Sequence, residues 1–216
     1  MSPAAAPEGF QGPKRGADRA VLLAHGAGAD MHSVALKVVA DALADVKVPS
    51  LRFNFPYRNA GRRAPDRPPV LLAAVREAAA ELARVAKVPP DRLVLGGRSM
   101  GGRIGSLAAS DPDDPIPALG LALLSYPLHP PGNPEKLRVD HFKRLAMPVL
   151  FVSGTRDAFG TPAELKRHAK KVKGPVTFCW IETGDHSVKP LKSSGMTAAD
   201  AQRAVAEAVV AFVTGL

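Results

Sequence analysis

Between the apolar run Leu93-Val94-Leu95 and the small, apolar run Ile104-Gly105-Ser106-Leu107-Ala108-Ala109 lies Gly97-Arg98-Ser99-Met100-Gly101, a serine with glycine two residues away on each side. A sharp strand-to-helix turn needs that spacing. A serine at the apex is held in a strained conformation, and strand and helix approach each other closely only if those flanking residues are small. The turn also puts the hydroxyl at a helix N-terminus, where free N–H groups and the dipole favour developing negative charge. A serine hydroxyl is a weak nucleophile at neutral pH and needs a base, the usual task of histidine, which in turn needs a carboxylate to fix its tautomer and stabilise its cation. Ser99, Asp157 and His186 supply these groups in the chain order nucleophile, acid, base.

Other residues compete for these roles. Asp185 adjoins His186, but neighbouring side chains usually point apart, so Asp157, which follows its own apolar run, is the preferred acid. His25 is expected to brace its loop rather than titrate, and His32, His141 and His168 are expected at the surface. His129 leaves a predicted strand beside the serine and is a candidate substrate-lining residue, as are Gly28 and Arg98. Attack on a carbonyl also needs donors for the oxyanion. The N–H of Met100 is one, and the loop His25-Gly26-Ala27-Gly28 offers the other, with Ala27 favoured and Gly28 the alternative. Rival glycine motifs fail: no Gly-x-x-x-x-Gly-Lys-Ser/Thr is present, and Gly26-Ala27-Gly28-Ala29-Asp30-Met31 lacks the third glycine of a dinucleotide fingerprint.

The elements that must position these groups alternate. Strands are expected at 19–24, 50–55, 92–97, 119–125, 147–154 and 175–181. Helices with 3–4 apolar spacing are expected at 32–46, 69–86 and 161–172, after the serine, and from Thr197 onward. Thr161 and Thr197 are candidate N-caps. The pattern predicts an α/β fold, a doubly wound, mostly parallel sheet of about six strands. In such sheets sites form at the carboxyl ends of strands, and His25-Gly26, Ser99, Asp157 and His186 all follow predicted strands. The segment 126–147 is too short for a lid domain.

A chain of 216 residues suits one domain, expected over 19–216, with Met1 to Asp18 (rich in Pro, Ala and Gly) as a flexible leader. No apolar run approaches the ~20 residues that span a bilayer. The lone Cys179 excludes an internal disulfide and reads as core packing, so a cytoplasmic setting is expected. The net charge of +9 sits largely in Arg52, Arg58, Arg62, Arg63 and Arg67 and in Lys166, Arg167, Lys170, Lys171 and Lys173. Aromatics make up only 5%, poor material for base stacking, so these clusters are read as solvated surface and no nucleic-acid partner is expected.

Seven segments carry a resemblance: His25-Gly26-Ala27-Gly28-Ala29, Arg52-Phe53-Asn54-Phe55-Pro56-Tyr57, Gly61-Arg62-Arg63-Ala64-Pro65, Gly97-Arg98-Ser99-Met100-Gly101-Gly102, Tyr126-Pro127-Leu128-His129-Pro130-Pro131-Gly132, Gly154-Thr155-Arg156-Asp157 and Gly184-Asp185-His186-Ser187. From Val21 to the final helix the chain resembles the α/β-hydrolase superfamily. More narrowly it is similar to the small dienelactone-hydrolase-like branch that includes the testis-expressed protein 30 group. The resemblance implies a Ser99–His186–Asp157 triad and an acyl-enzyme. Dienelactone hydrolases proper use a cysteine where Ser99 stands, so their substrate does not carry over. The expectation is a serine hydrolase of esters, thioesters or similar acyl bonds of small soluble substrates, without metal or organic cofactor. Arg98 and the arginines at 58–67 would favour an anionic acyl group. The alternative is a hydrolase-like fold used as a non-catalytic binding or scaffold protein.

Overall fold

Apolar runs of five or six residues have the length of a strand buried on both faces, and the longer runs with 3–4 spacing bury one helical stripe. The computed structural model describes residues 6–216 and arranges these elements accordingly. In chain order they are β1 (Phe10–Gln11), β2 (Ala20–Ala24), α1 (Val34–Asp45), β3 (Ser50–Phe53), α2 (Pro56–Asn59), α3 (Pro68–Ala86), β4 (Leu93–Arg98), α4 (Met100–Ala109), β5 (Gly120–Leu124), β6 (Val149–Gly154), α5 (Pro162–Ala169), β7 (Val176–Ile181) and α6 (Ala198–Thr214). The sheet order is β1-β3-β2-β4-β5-β6-β7, parallel from β3 to β7.

Alternation along each strand makes two cores. Leu22, Leu95, Leu121, Leu123 and Phe151 face the layer that holds α3, α4 and α5. Val21, Leu23, Val94, Leu124 and Val152 face α1 and α6. The chain runs outward from β2 to β3 and then returns to lay β4 on the other side of β2. The strand order therefore reverses between β2 and β4, and a crevice opens there at the carboxyl ends of the strands.

The expected leader is structured over part of its length. Phe10 and Gln11 pair antiparallel with Leu51 and Ser50, and the Arg52 N–H donates to the Gly9 carbonyl at 3.1 Å. This edge strand makes seven strands rather than six. A two-residue pairing carries no periodicity, so it leaves no mark in sequence. The first five residues of the expected leader lie outside the described ones. Both expected N-caps form capping boxes, Thr161 with Glu164 and Thr197 with Asp200. Among the described residues no helix is long and apolar enough to cross a membrane.

Candidate active site

The β4–α4 turn is as tight as its glycines imply. A Cβ on Gly97 would lie 2.7 Å from the Ala24 carbonyl oxygen, and one on Gly101 would lie 2.6 Å from that of His25. Ser99 between them has φ 52° and ψ −117°, a left-handed conformation that costs roughly 1–3 kcal/mol in a non-glycine residue. Its own backbone holds it there. The Ser99 N–H donates to the Leu124 carbonyl at 2.8 Å, and the Arg103 N–H donates to the Ser99 carbonyl at 3.0 Å.

Three loops converge on this hydroxyl. Ser99 Oγ lies 2.9 Å from His186 Nε2, and His186 Nδ1 lies 2.9 and 2.8 Å from the two carboxylate oxygens of Asp157. Asp157 is buried, and its Oδ1 also accepts the Phe159 N–H at 2.8 Å. The acid and histidine loops are tied together: the Arg156 N–H donates to the Gly184 carbonyl and the Thr183 N–H to Thr155 Oγ1, both at 2.8 Å. The competing carboxylate is occupied elsewhere, because Asp185 Oδ1 accepts the Ser187 and Lys189 N–H groups and closes the turn. A carboxylate on Nδ1 fixes the proton there and leaves Nε2 as acceptor, so the array can take the hydroxyl proton and hold the resulting cation.

His25 braces the neighbouring loop, as expected. Its Nε2 accepts the Phe55 N–H at 3.1 Å and its Nδ1 lies 2.8 Å from the Gly26 carbonyl, so the ring is neutral with its proton on Nδ1. Burial pushes its pKa down. The segment after β3 completes the bracket. The Tyr57 hydroxyl donates to the Ala27 carbonyl at 2.8 Å, Asn54 Oδ1 accepts the Met31 N–H, and Arg52 donates to the Met31 carbonyl. Ala27, Gly28 and Met100 all border the cavity beside Ser99, about 400 Å³ in volume. Among the described residues neither the Ala27 nor the Met100 N–H has a backbone partner, so both remain available to an oxyanion. No group of three or more His, Cys, Asp or Glu among the described residues is placed to share a metal ion.

Arg98 borders the cavity, as expected of a lining residue, and its guanidinium also donates to the His186 carbonyl and Ser187 Oγ, both at 3.0 Å, which supports the histidine loop. Other expectations need correction. His129 is buried behind the wall, with Nδ1 2.9 Å from the Pro130 carbonyl, and is absent from the cavity lining. Arg58 and Arg62 pair with Asp30 and Asp66, and none of the arginines at 58–67 reaches the cavity. His141 and His168 are buried rather than at the surface.

Four residues that sequence reasoning passed over belong to the site. Phe159 stacks on the His186 imidazole with centroids 3.9 Å apart, Tyr57 holds the Ala27 loop, and Arg103 and Arg138 border the cavity. Arg103 was findable, because it lies one helical turn beyond Ser99. Arg138 sits in an irregular stretch with no periodicity to place it.

Comparison with known proteins agrees with this architecture. A family model described as an alpha/beta hydrolase domain matches residues 17–214. Among solved structures, Est1E from Butyrivibrio proteoclasticus with ferulic acid bound superposes with a TM-score of 0.74 at 17% identity, covering 95% of this chain and 93% of that one. Dienelactone hydrolase from Anabaena variabilis gives 0.67 at 18% identity, covering 93% and 87%. A lidless α/β serine hydrolase from Xanthomonas campestris gives 0.65 at 16%, covering 94% and 87%. At these identities the structures establish a shared fold, and the family match, which takes in every parallel strand and all six helices, establishes that this chain belongs to the alpha/beta hydrolases.

Proposed function

We propose that this chain is a serine hydrolase that cleaves an ester, thioester or similar acyl bond of a small soluble substrate. One observation carries the proposal: a hydroxyl, an imidazole and a buried carboxylate in line at 2.9 and 2.8 Å, on three loops distant in sequence. Ser99 Oγ attacks the carbonyl carbon while its proton passes to His186 Nε2. Asp157 holds the imidazolium, and the oxyanion accepts hydrogen bonds from the Met100 and Ala27 N–H groups. Collapse of the tetrahedral intermediate breaks the bond to the leaving group, which takes the proton from His186 and departs as alcohol or thiol. Water then repeats the sequence on the acyl-enzyme, releasing a carboxylic acid and restoring Ser99.

The segment 126–147 supports open access by small molecules. Tyr126, Leu128, Val139, Phe142 and Leu145 anchor it in the core, so it forms a wall rather than a lid. The basic clusters are surface features: Arg62 pairs with Asp66, and the Lys166 ammonium sits 5.6 Å from the centre of the Trp180 ring. No nucleic-acid partner is proposed for them. A single free cysteine suits a reducing, cytoplasmic setting.

The test is steady-state hydrolysis of p-nitrophenyl esters of increasing acyl length. Ser99→Ala and His186→Ala are each expected to lower kcat by about 10³-fold or more, and the double variant to lose little beyond either single one, because the groups act as a unit. Wild-type activity that survives Ser99→Ala would overturn the proposal.

A further inference from the structure

Among the described residues, every charged side chain that borders the cavity is basic: Arg98, Arg103, Arg138 and, when protonated, His186. Arg98 is already engaged by the histidine loop. Arg103 and Arg138 are not. Neither guanidinium has a carboxylate or hydrogen-bond partner among the described residues, whereas Arg52, Arg144 and Arg156, which also lack a carboxylate, each donate to a backbone carbonyl. Arg103 Nε is buried and has no hydrogen-bond partner.

Both backbones are pinned. Arg103 follows Ser99 by one turn of α4, with its N–H donating to the serine carbonyl at 3.0 Å and its own carbonyl accepting from Ser106 Oγ at 2.8 Å. The Arg138 N–H donates to the Leu128 carbonyl at 2.9 Å, and its carbonyl accepts from the buried Tyr126 hydroxyl at 2.6 Å. Burial and the neighbouring charge of Arg103 both lower the pKa of Arg138. Holding two like charges together in a half-enclosed site without an internal counter-charge is unfavourable, and an anion from outside relieves it. Planar guanidinium groups match the paired oxygens of a carboxylate.

We infer that Arg103 and Arg138 form the specificity site for a carboxylate carried by the substrate, so that the preferred substrates are short esters or thioesters bearing a negative charge near the scissile bond. The inference rests on the hydrolase proposal for the reaction, but the anion site can be read without turnover.

Two matched pairs of esters test it: p-nitrophenyl hemiglutarate against p-nitrophenyl valerate, and p-carboxyphenyl valerate against phenyl valerate. Wild-type kcat/KM is expected to favour the charged member of at least one pair by roughly 10–100-fold, the worth of one or two charge-assisted hydrogen bonds. Arg103→Gln and Arg138→Gln are each expected to lower that preference about tenfold, and 0.5 M sodium chloride (about a 4 Å screening length) to lower it in part. Equal rates within both pairs, or variants that slow both members alike, would overturn the inference. Calorimetric titration of Ser99→Ala protein with glutarate is the turnover-independent arm, with binding expected and weakened about tenfold by Arg103→Gln. If no ester is turned over but glutarate binds in this way, the hydrolase proposal fails and the arginine site stands. Binding of inorganic phosphate without binding of glutarate would overturn the carboxylate assignment.

Discussion

Tyr57 touches none of the Ser99, His186 and Asp157 side chains, yet its hydroxyl donates to the Ala27 carbonyl at 2.8 Å and fixes the loop whose N–H the proposed reaction offers to the oxyanion. It is therefore a positioning residue. Tyr57→Phe removes one hydrogen bond, worth about 1 kcal/mol, and kcat is expected to fall about fivefold with KM within about twofold. Steady-state kinetics on a neutral ester checks this, and an unchanged kcat would mean the loop holds without the bond. The Ser99, Asp157 and His186 side chains that the structure brings together could be named from sequence because each sits beside a glycine-bearing turn at the end of an apolar run. Phe159 could not. Its role comes from stacking on an imidazole delivered by another strand, and a lone loop aromatic gives no sign of that.

At the scale of elements, periodicity located every long strand and helix. Leu71, Val75, Ala78, Leu82 and Val85 on α3 are all buried, as their spacing requires. The short pieces were hidden. β1 has two residues, and α2 is a single turn opened by Pro56, too short for a 3.6-residue period to register. Val46 followed the helical spacing of α1 but lies just past its end and is 42% exposed. Capping was legible because it is local. Thr197 accepts the Asp200 N–H at 3.1 Å while the Asp200 carboxylate accepts the Thr197 N–H at 3.1 Å. Thr197→Ala is expected to cost about 1 kcal/mol in urea unfolding while leaving kcat/KM unchanged, since Thr197 does not border the cavity. A loss of activity matching the loss of stability would contradict that separation.

For the molecule as a whole, stability carries a pH dependence set by a buried histidine. His141 is 3% exposed, and its Nε2 lies 2.8 Å from Ser106 Oγ. That hydroxyl donates to the Arg103 carbonyl, so Nε2–H is the donor to it. Burial, with Arg103 and Arg144 nearby, pushes its pKa down to about 4. An unfolded histidine takes up its proton near about pH 6.5, and the folded one refuses it until about 4. Stability is therefore complete above about pH 6.5 and falls as pH drops through that window, by about 3 kcal/mol from this group. His25, also lowered by burial, acts with the same sign. Urea unfolding at about pH 7 and about pH 4.5 should show the loss, and His141→Gln should remove much of it. Equal slopes for variant and wild type would place the dependence elsewhere. His141 was expected at the surface because an isolated histidine gives no sign of a partner 35 residues away. The overall topology was legible from βα alternation, and with it the crevice, because a reversal in strand order leaves few other places for four loop-borne groups to meet.

The most direct measurement on the central claim is reaction of the folded protein with a fluorophosphonate, read by intact mass and peptide mapping. A hydroxyl polarised by His186 is expected to give stoichiometric labelling at Ser99 alone, lost in Ser99→Ala, in His186→Ala and after unfolding in urea. Absence of labelling on folded wild-type protein, or labelling spread over other serines, would contradict a catalytic role for this site and leave the fold as a binding or scaffold module.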